Sequence, residues 1–327
     1  MVCDDTQTPK VVSNSAPVSS HTAIRPGTPV GSARKKRHKA RAEQPLWFLL
    51  PAFAVLLVFY IVPTVYNLFY PFTNWSAFHD SISFTGWGNF ASIIQDGTLV
   101  RDIRITMVYA ILVGIFQNLF GLLLALLLEA DRRLNRVLRT VFFLPVLLSA
   151  LATGYIFQAL LKPAGALNEI LGLLTHSVVT IPWLSSTTWT IVVVALIQSW
   201  KWMGLSMLIY LAGLKSINPD LLDAARIDGA SAWKLFRSIK LPLLAPAVTF
   251  NVATALIGTM NGFDVVQATT AGGPAQSTEV LNIFIFRTFG SGLYAQATAM
   301  SLVLFLILIV IAVPLIVYLR SREKAME

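Results

Sequence analysis

Residues 221–242 read LLDAARIDGASAWKLFRSIKLP, a charged interruption between two apolar stretches of the chain. Asn218 and Pro219 lie just ahead of it and form a helix-start signal, because proline is tolerated at the first helical position. Asp220 adds to this signal, since a carboxylate is favourable near the positive end of the helix dipole. The pattern therefore predicts a short helix from about Pro219 to Ile227.

A turn and a second short helix are expected next. The pair Asp228-Gly229 supplies a tight turn in which a residue without Cβ can take positive φ. Ser231 can cap a second helix whose apolar residues recur at three-residue spacing. These apolar residues are Trp233, Phe236 and Ile239. The stretch 218–242 is thus predicted to form a helix-turn-helix, named the elbow below, with one apolar edge.

The elbow resembles the EAA loop of permease subunits in binding-protein-dependent ABC importers. The match runs through DAARIDGA and continues at Phe236, Ile239 and Leu241-Pro242, with Asp223 in place of the usual first glutamate. The resemblance implies that the elbow docks onto an ATPase subunit. The residues expected at this contact are Asp223, Ala224, Ala225, Asp228, Gly229, Ala230 and Phe236. The alternative is an ordinary loop whose amphipathic helices lie on lipid headgroups.

The composition indicates an integral membrane protein. Of the 327 residues, 55% are hydrophobic and 13% are charged, and the mean hydropathy is +0.68. A soluble globular chain usually has about half apolar and a quarter charged residues. The single cysteine, Cys3, excludes an intrachain disulfide and a cysteine-based metal cluster.

Six stretches are apolar and long enough to span a bilayer, which requires about 20 residues. They are Leu46 to Tyr70, Ile105 to Leu128, Thr140 to Leu161, Trp189 to Leu214, Leu243 to Phe263 and Ala295 to Leu319. The loops on the outer side, about 71–104, 162–188 and 264–294, contain aromatic residues with Gly, Pro and Ser, as interfacial helices and turns do. The sequence therefore predicts an all-α, six-span membrane protein.

The basic residues predict the orientation of these spans. With the amino terminus inside, all but five of the 25 Lys and Arg fall on the cytoplasmic side. The five exceptions are Arg101, Arg104, Lys162, Lys201 and Arg287. Because cytoplasmic loops are enriched in Lys and Arg, both termini and the elbow are predicted to be cytoplasmic. The net charge of +9 is therefore an orientation signal and not a sign of nucleic-acid binding.

Residues 1–44 are predicted to be a disordered, basic, cytoplasmic tail. They are rich in Ser, Thr and Pro, and they end in a basic run between Arg34 and Arg41 next to the first span. Residues 45–327 are predicted to form the transmembrane domain.

Several functions are disfavoured by the residues themselves. No G-x-x-x-x-G-K-[ST] motif is present, so ATP binding by this chain is not expected, and the four histidines lack metal-ligand spacing. No nucleophile, base and orienting group suggest a catalytic site, and no cofactor is predicted. All sixteen Asp and Glu fall in tails, loops or span ends, which disfavours ion coupling. Energy is therefore expected to come from a partner.

Two polar stripes predict a pathway for a polyhydroxylated solute. Gln198, Lys201 and Trp202 share one face of the fourth span, and a fifth-span stripe is rich in small and amide residues. Lys201 is expected to face water, a solute or Asp264, because an ammonium in mid-membrane is costly. The full set is Gln198, Lys201, Trp202, Asn251, Gly258, Asn261 and Asp264. Helix packing is the alternative for the small residues and Asn251.

The stretch GFDVVQATTAGGP, residues 262–274, followed by Thr278, resembles the carbohydrate branch of the same permease family. With the elbow, the resemblance covers about Leu46 to Arg320 and implies a MetI-like fold in which spans two to six form the core. It further implies a complex in the cell membrane with a second homologous permease, two ATPase subunits and an extracellular solute-binding protein. The implied solute is a sugar, oligosaccharide or polyol. The alternatives are an autonomous secondary transporter and a membrane-embedded enzyme or scaffold.

Overall fold

The computed structural model describes residues 46–324, and the predicted basic tail lies outside them. The chain divides after Ala52 into two compact units. In the first unit, the described residues hold a 3-10 turn, Leu46–Leu49, and the start of helix α1, Leu50–Leu56.

In the second unit, helices make up most of residues 53–324, and the described chain has no strand beyond an isolated bridge between Thr73 and Phe84. A π-helical stretch, Leu57–Ile61, leads from α1 into α2. In chain order the helices are α2 (Val62–Phe69), α3 (Gly88–Gln95), α4 (Thr98–Leu127), α5 (Arg133–Leu147), α6 (Ala150–Leu160), α7 (Ala166–Thr175), α8 (Thr190–Ser216), α9 (Pro219–Ile227), α10 (Ala232–Leu235), α11 (Leu241–Leu243), α12 (Ala245–Met260), α13 (Asp264–Thr269), α14 (Leu281–Gly290) and α15 (Tyr294–Lys324).

The described helices include four that could each cross a membrane, and two bent helix pairs that correspond to the remaining predicted spans. Four stretches are long and apolar enough to cross a membrane: Leu50–Phe72, Thr98–Leu127, Thr190–Ser216 and Tyr294–Ser321. The third predicted span is instead two helices, α5 and α6, that meet at 98°. The fifth span follows a 67° bend between Ala232–Leu243 and α12. The described chain thus has four spans, or six if each bent pair is taken as one span.

The break between α5 and α6 corrects the expectation of a continuous helix from Thr140 to Leu161. Pro145 lies in the last turn of α5, and Leu148 and Ser149 leave the helical region with ψ near 140°. Because proline in a helix interior removes a backbone donor and disturbs the preceding turn, it marks a place where a span can bend. Hydropathy alone did not predict the bend.

Helix α8 is the centre of the fold. Its most apolar window is 61% buried, against 28% for α4 and 11% for α15. Gly121 lets α4 approach α8 closely, because a Cβ there would lie 2.6 Å from Cβ of Ser206. Gly204 does the same for α5, because a Cβ there would lie 2.2 Å from the carbonyl oxygen of Phe142. Small residues at such contacts are typical of membrane helix packing.

The end of the fold away from the elbow is held by a buried charge cluster. Helix α4 starts seven residues before the predicted span, so it includes Asp102, which is fully buried beside Arg101 at 2.9 Å. Arg101 also contacts the buried carboxylate of Glu279 at 3.1 Å, and Arg287 contacts it at 2.6 Å. These acidic residues are therefore paired rather than free, which buried charges require.

Candidate functional sites

The first half of the elbow is built by local capping. Helix α9 has the predicted bounds, Pro219–Ile227, and the backbone N–H of Asp220 donates to the side chain of Asn218 at 3.0 Å. An N-cap bond of this kind satisfies one of the orphan donors at a helix start. The carboxylate of Asp223 pairs with Arg226 of the same helix at 2.8 Å, and both groups are exposed.

The turn and second helix also form as the sequence predicts. Gly229 has φ of +78°, and the N–H of Ala230 donates back to the carbonyl of Ala225, which closes the turn. The N–H of Lys234 donates to the hydroxyl of Ser231 at 3.3 Å at the start of α10. Beyond α10 the chain continues through a π-helical turn, Phe236–Lys240, into α11.

The elbow carries apolar side chains that nothing in the second unit covers. Ile227 is 87% exposed and Trp233 is 66% exposed, and Leu221 is also exposed. Trp233 stacks obliquely on the half-buried Phe236, with ring centroids 5.7 Å apart. Sequence analysis placed Trp233 and Phe236 on an apolar edge but missed Ile227, whose position before a charged turn gives no periodic signal. Exposed apolar residues rimmed by charge are typical of an interaction site.

One ion pair joins the elbow to the body of the fold, and Arg139 caps the helix end beside it. The ammonium of Lys240 contacts the carboxylate of Glu129, just beyond α4, at 2.5 Å, and both groups are largely buried. The guanidinium of Arg139, in α5, donates to the carbonyl of Leu128 at 2.6 Å and also reaches the carbonyls of Glu129 and Ala130. Carbonyls at a helix end lack intrahelical partners, so Arg139 caps α4.

A cavity of about 380 Å³ lies between α4, α8 and α12. It is lined by Tyr109, Gln117, Ala150, Gln198, Trp202, Leu205, Thr254, Ala255, Gly258, Thr259, Asn261, Gly262, Phe263, Asp264 and Val265. Amides, hydroxyls, one indole and one carboxylate thus share its wall, and no lining residue is cationic.

Several of these polar groups have no partner among residues 46–324. The hydroxyl of Tyr109 is buried and makes no hydrogen bond with any described group. Among the described residues, the side-chain amide of Gln198 makes no hydrogen bond, and the carboxylate of Asp264 makes no ion pair. Gln117 is different, because its amide donates to the hydroxyl of Ser206 at 2.9 Å. A buried polar group without a partner is costly, so Tyr109 and Gln198 suit a hydrated or polar occupant, whereas Asp264 is exposed.

Five of the seven residues predicted for the pathway line this cavity: Gln198, Trp202, Gly258, Asn261 and Asp264. Asn251 does not. It is buried against α8, where its side-chain amide donates to the carbonyl of Ser206 at 3.3 Å. This contact matches the helix-packing alternative. Tyr109 and Gln117 were missed, because α4 is apolar overall and its two polar cavity residues lie two turns apart.

Lys201 is the other exception, because it does not line the cavity although its neighbour Trp202 does. Its side chain is 2% exposed, and its ammonium donates to the carbonyls of Leu148 at 2.6 Å, Val146 at 3.1 Å and Pro145 at 3.4 Å. In the described structure Lys201 is therefore paired with these carbonyls and not with Asp264, while a contact with solute stays a prediction. Sequence analysis could not find the true partners, because these carbonyls become available only through the break between α5 and α6.

A bundle of apolar helices with a cavity that carries polar groups and an exposed helix-turn-helix fits the class of polytopic membrane permeases. Residues 117–326 match the family described as the binding-protein-dependent transport system inner membrane component. The chain belongs to this family, whose members are membrane permease components of ABC transporters and not enzymes.

Several of the curated relatives are named as sugar transport permeases. The chain is 31% identical to the probable starch degradation products transport system permease protein AmyD of Thermoanaerobacterium thermosulfurigenes, over 85% of this chain and 94% of that protein. It is 30% identical to the lactose transport system permease protein LacF of Rhizobium radiobacter, over 79% and 88% respectively.

A solved structure has the same fold. A chain of a bacterial ABC transporter involved in the import of the acidic polysaccharide alginate superposes with a TM-score of 0.72 over 84% of this chain and 94% of that chain. The two are 23% identical. Together with the family match, this confirms the MetI-like all-α fold expected from the sequence.

Proposed function

We propose that this chain forms half of the translocation pathway for a neutral sugar or oligosaccharide in an ATP-driven importer. The observation that carries the proposal is the cavity between α4, α8 and α12. Amides such as Gln198 and Asn261 can hydrogen-bond hydroxyl groups, and the indole of Trp202 offers an apolar face on which a sugar ring can stack. The names of the relatives, which include starch products and lactose, support this solute class.

The charge of the cavity favours a neutral solute over an anionic one. Asp264 is the single charged residue in its lining, and no Lys or Arg side chain offers a counter-charge there. An anion in the cavity would face repulsion from this carboxylate, which is exposed, so the repulsion is reduced by water and salt. The likeness to the alginate transporter extends to the fold and not to its acidic solute.

The elbow is proposed as the contact with an ATPase subunit, in a complex with a second permease, two ATPases and an extracellular binding protein. Its exposed Ile227 and Trp233, beside Asp223 and Asp228, suit a groove on a protein partner better than a fully charged surface. The asymmetry of Lys and Arg supports a cytoplasmic elbow with both termini on the same side. Closure of the ATPases would then move the elbow as a lever.

The test is purification of the tagged chain from native membranes with its associated subunits, followed by ATPase assays with the binding protein and a panel of solutes. We expect maltotriose or lactose to stimulate hydrolysis, and glucuronic acid to have no effect. Trp202→Ala should raise the half-saturating concentration of the active sugar, while Trp233→Ala in the elbow should lower the maximal rate. A chain that purifies without an ATPase subunit and accumulates solute on its own would overturn the proposal.

A further inference from the structure

Lys201 is unusual because a cation is buried in a span without a carboxylate beside it. Among the Lys and Arg residues with described side chains, it is the most deeply buried at 2% exposed, and its three hydrogen bonds all go to backbone carbonyls. None of the ion pairs among the described residues involves it. A charged side chain inside a membrane span is costly, so it needs polar groups around it that compensate the charge.

The three carbonyls belong to the end of α5. Pro145 and Val146 lie in its last turn, and Leu148 is the first residue beyond it. The carbonyls at the C-terminal end of a helix lack intrahelical donors and carry the negative end of the helix dipole. The carbonyl of Pro145 also accepts from the backbone N–H of Leu148 at 3.2 Å, so the ammonium of Lys201 is the donor mainly for Val146 and Leu148 at the 98° break.

The same break forms part of the cavity wall. Ala150, the first residue of α6, lines the cavity, and so does Trp202, the neighbour of Lys201. The indole ring of Trp202 has its centroid 5.0 Å from the Lys201 ammonium, within cation–π range. One turn further along α8, Gly204 brings the α5 backbone into contact at Phe142. The end of α5 is thus fixed to α8 at two points beside the cavity.

We propose that Lys201 is a positioning residue for the solute pathway. By capping α5 at the break, its ammonium fixes where α6 begins and so sets the separation between Ala150 and the indole of Trp202. Lys201 touches no solute in this role. The role in transport rests on the proposed function. The contact between Lys201 and the end of α5 does not depend on which solute is carried.

The test measures the accessibility of two cavity positions in native membranes, with Cys3 replaced by serine. Ala150→Cys reports the wall that Lys201 is proposed to fix. Gly258→Cys reports the opposite wall on α12, where an added Cβ meets nothing within 4 Å. Each cysteine substitution is combined in turn with Lys201→Met and with Lys215→Met, and the labelling rate by a water-soluble cationic methanethiosulfonate is measured. Lys215 is the matched control because it lies on an exposed part of α8.

Lys201→Met is expected to change the labelling rate at position 150 by about tenfold, the scale on which losing a hydrogen bond from a charged donor shifts an equilibrium. The rate at position 258 should not change, and Lys215→Met should change neither. An unchanged rate at 150, or equal changes at both positions, would overturn the proposal.

Lys201→Gln, which keeps one donor group, is the second variant. If neither variant inserts into the membrane, Lys201 is required for folding and the positioning role is overturned. Uptake of maltotriose and lactose is measured in the same membranes. If the unmodified complex takes up neither sugar, the proposed function fails while the labelling result still decides the role of Lys201.

Discussion

Gly229 is the residue at which the elbow depends most directly on backbone conformation. Its φ of +78° is one that side chains with a Cβ rarely adopt, yet a Cβ there would meet nothing within 4 Å. The cost of Gly229→Val is therefore conformational strain, on the order of 1–3 kcal/mol, and not a steric clash. We expect the variant to insert normally and to lose solute uptake. Gly290→Val is the control, because Gly290 lies at an open position and does not have positive φ. Normal uptake by Gly229→Val would contradict the docking role of the elbow.

Asp223 is available to a partner because its present contact is weak. Its ion pair with Arg226 is exposed on both sides, and such pairs contribute only about 0–1 kcal/mol. Asp223→Ala is expected to weaken ATPase association by about 1.5–3 kcal/mol, the range for a charge-assisted hydrogen bond that forms on docking. Asp223→Glu should retain association. Co-purification at increasing salt measures the effect. Unchanged association of Asp223→Ala would mean that this carboxylate interacts only within its own helix.

Residues whose roles depend on local chemistry were predictable from the sequence, and those that depend on tertiary contacts were not. Asn218, Gly229 and Ser231 take the predicted roles, because a cap or a tight turn involves only neighbouring residues. The sequence also required that the charge of Lys201 be satisfied. It could not reveal the partner, because the carbonyls of Pro145 and Leu148 lie more than fifty residues earlier in the chain.

At the scale of the helices, the pair Lys240–Glu129 is the direct tie between the elbow and α4. Both groups are largely shielded from water, so the contact is stronger than an exposed pair. Lys240→Gln and Glu129→Gln should each reduce the coupling of ATP hydrolysis to uptake. The double variant should be no worse than either single one, with an interaction energy of about 0.5–3 kcal/mol.

A double-mutant cycle on the ratio of uptake to ATP hydrolysis measures this energy. Arg136→Gln and Asp131→Asn make a suitable control cycle, because that pair lies at 3.8 Å and is well exposed on both sides. Additive effects in the Lys240–Glu129 cycle would mean that the elbow moves independently of α4.

The positions of the spans followed from hydropathy, but their shapes did not. An average over about 20 residues finds an apolar segment whether it is straight or broken, so α5 and α6 merged into one predicted span. The start of α4 was placed too late for a related reason. Asp102 and Arg101 lower the local hydropathy, although their pairing with each other and with Glu279 lets the helix include them.

At the scale of the whole molecule, the tail should be separable from transport. Residues 1–30 lack an apolar face that could be buried, so their deletion is expected to leave insertion and uptake intact. A longer deletion that also removes Arg34 to Arg41 should impair orientation, because the strongest basic signal before the first span would be lost. Protease accessibility of tags at each terminus checks both. Loss of uptake in the shorter deletion alone would make the tail a binding segment.

The order of Lys201 and its partners along the chain has a consequence for how the protein is made. A lysine at the centre of an emerging span disfavours partition into lipid by about 2.5–3.5 kcal/mol. Pro145, Val146 and Leu148 leave the ribosome before Lys201, so the carbonyls that offset this penalty are already present when α8 reaches the insertion machinery. The broken span and α8 are therefore expected to enter the bilayer as a pair. A chain synthesised without residues 133–160 should leave α8 at the membrane surface, where added protease would cut the segment that follows it.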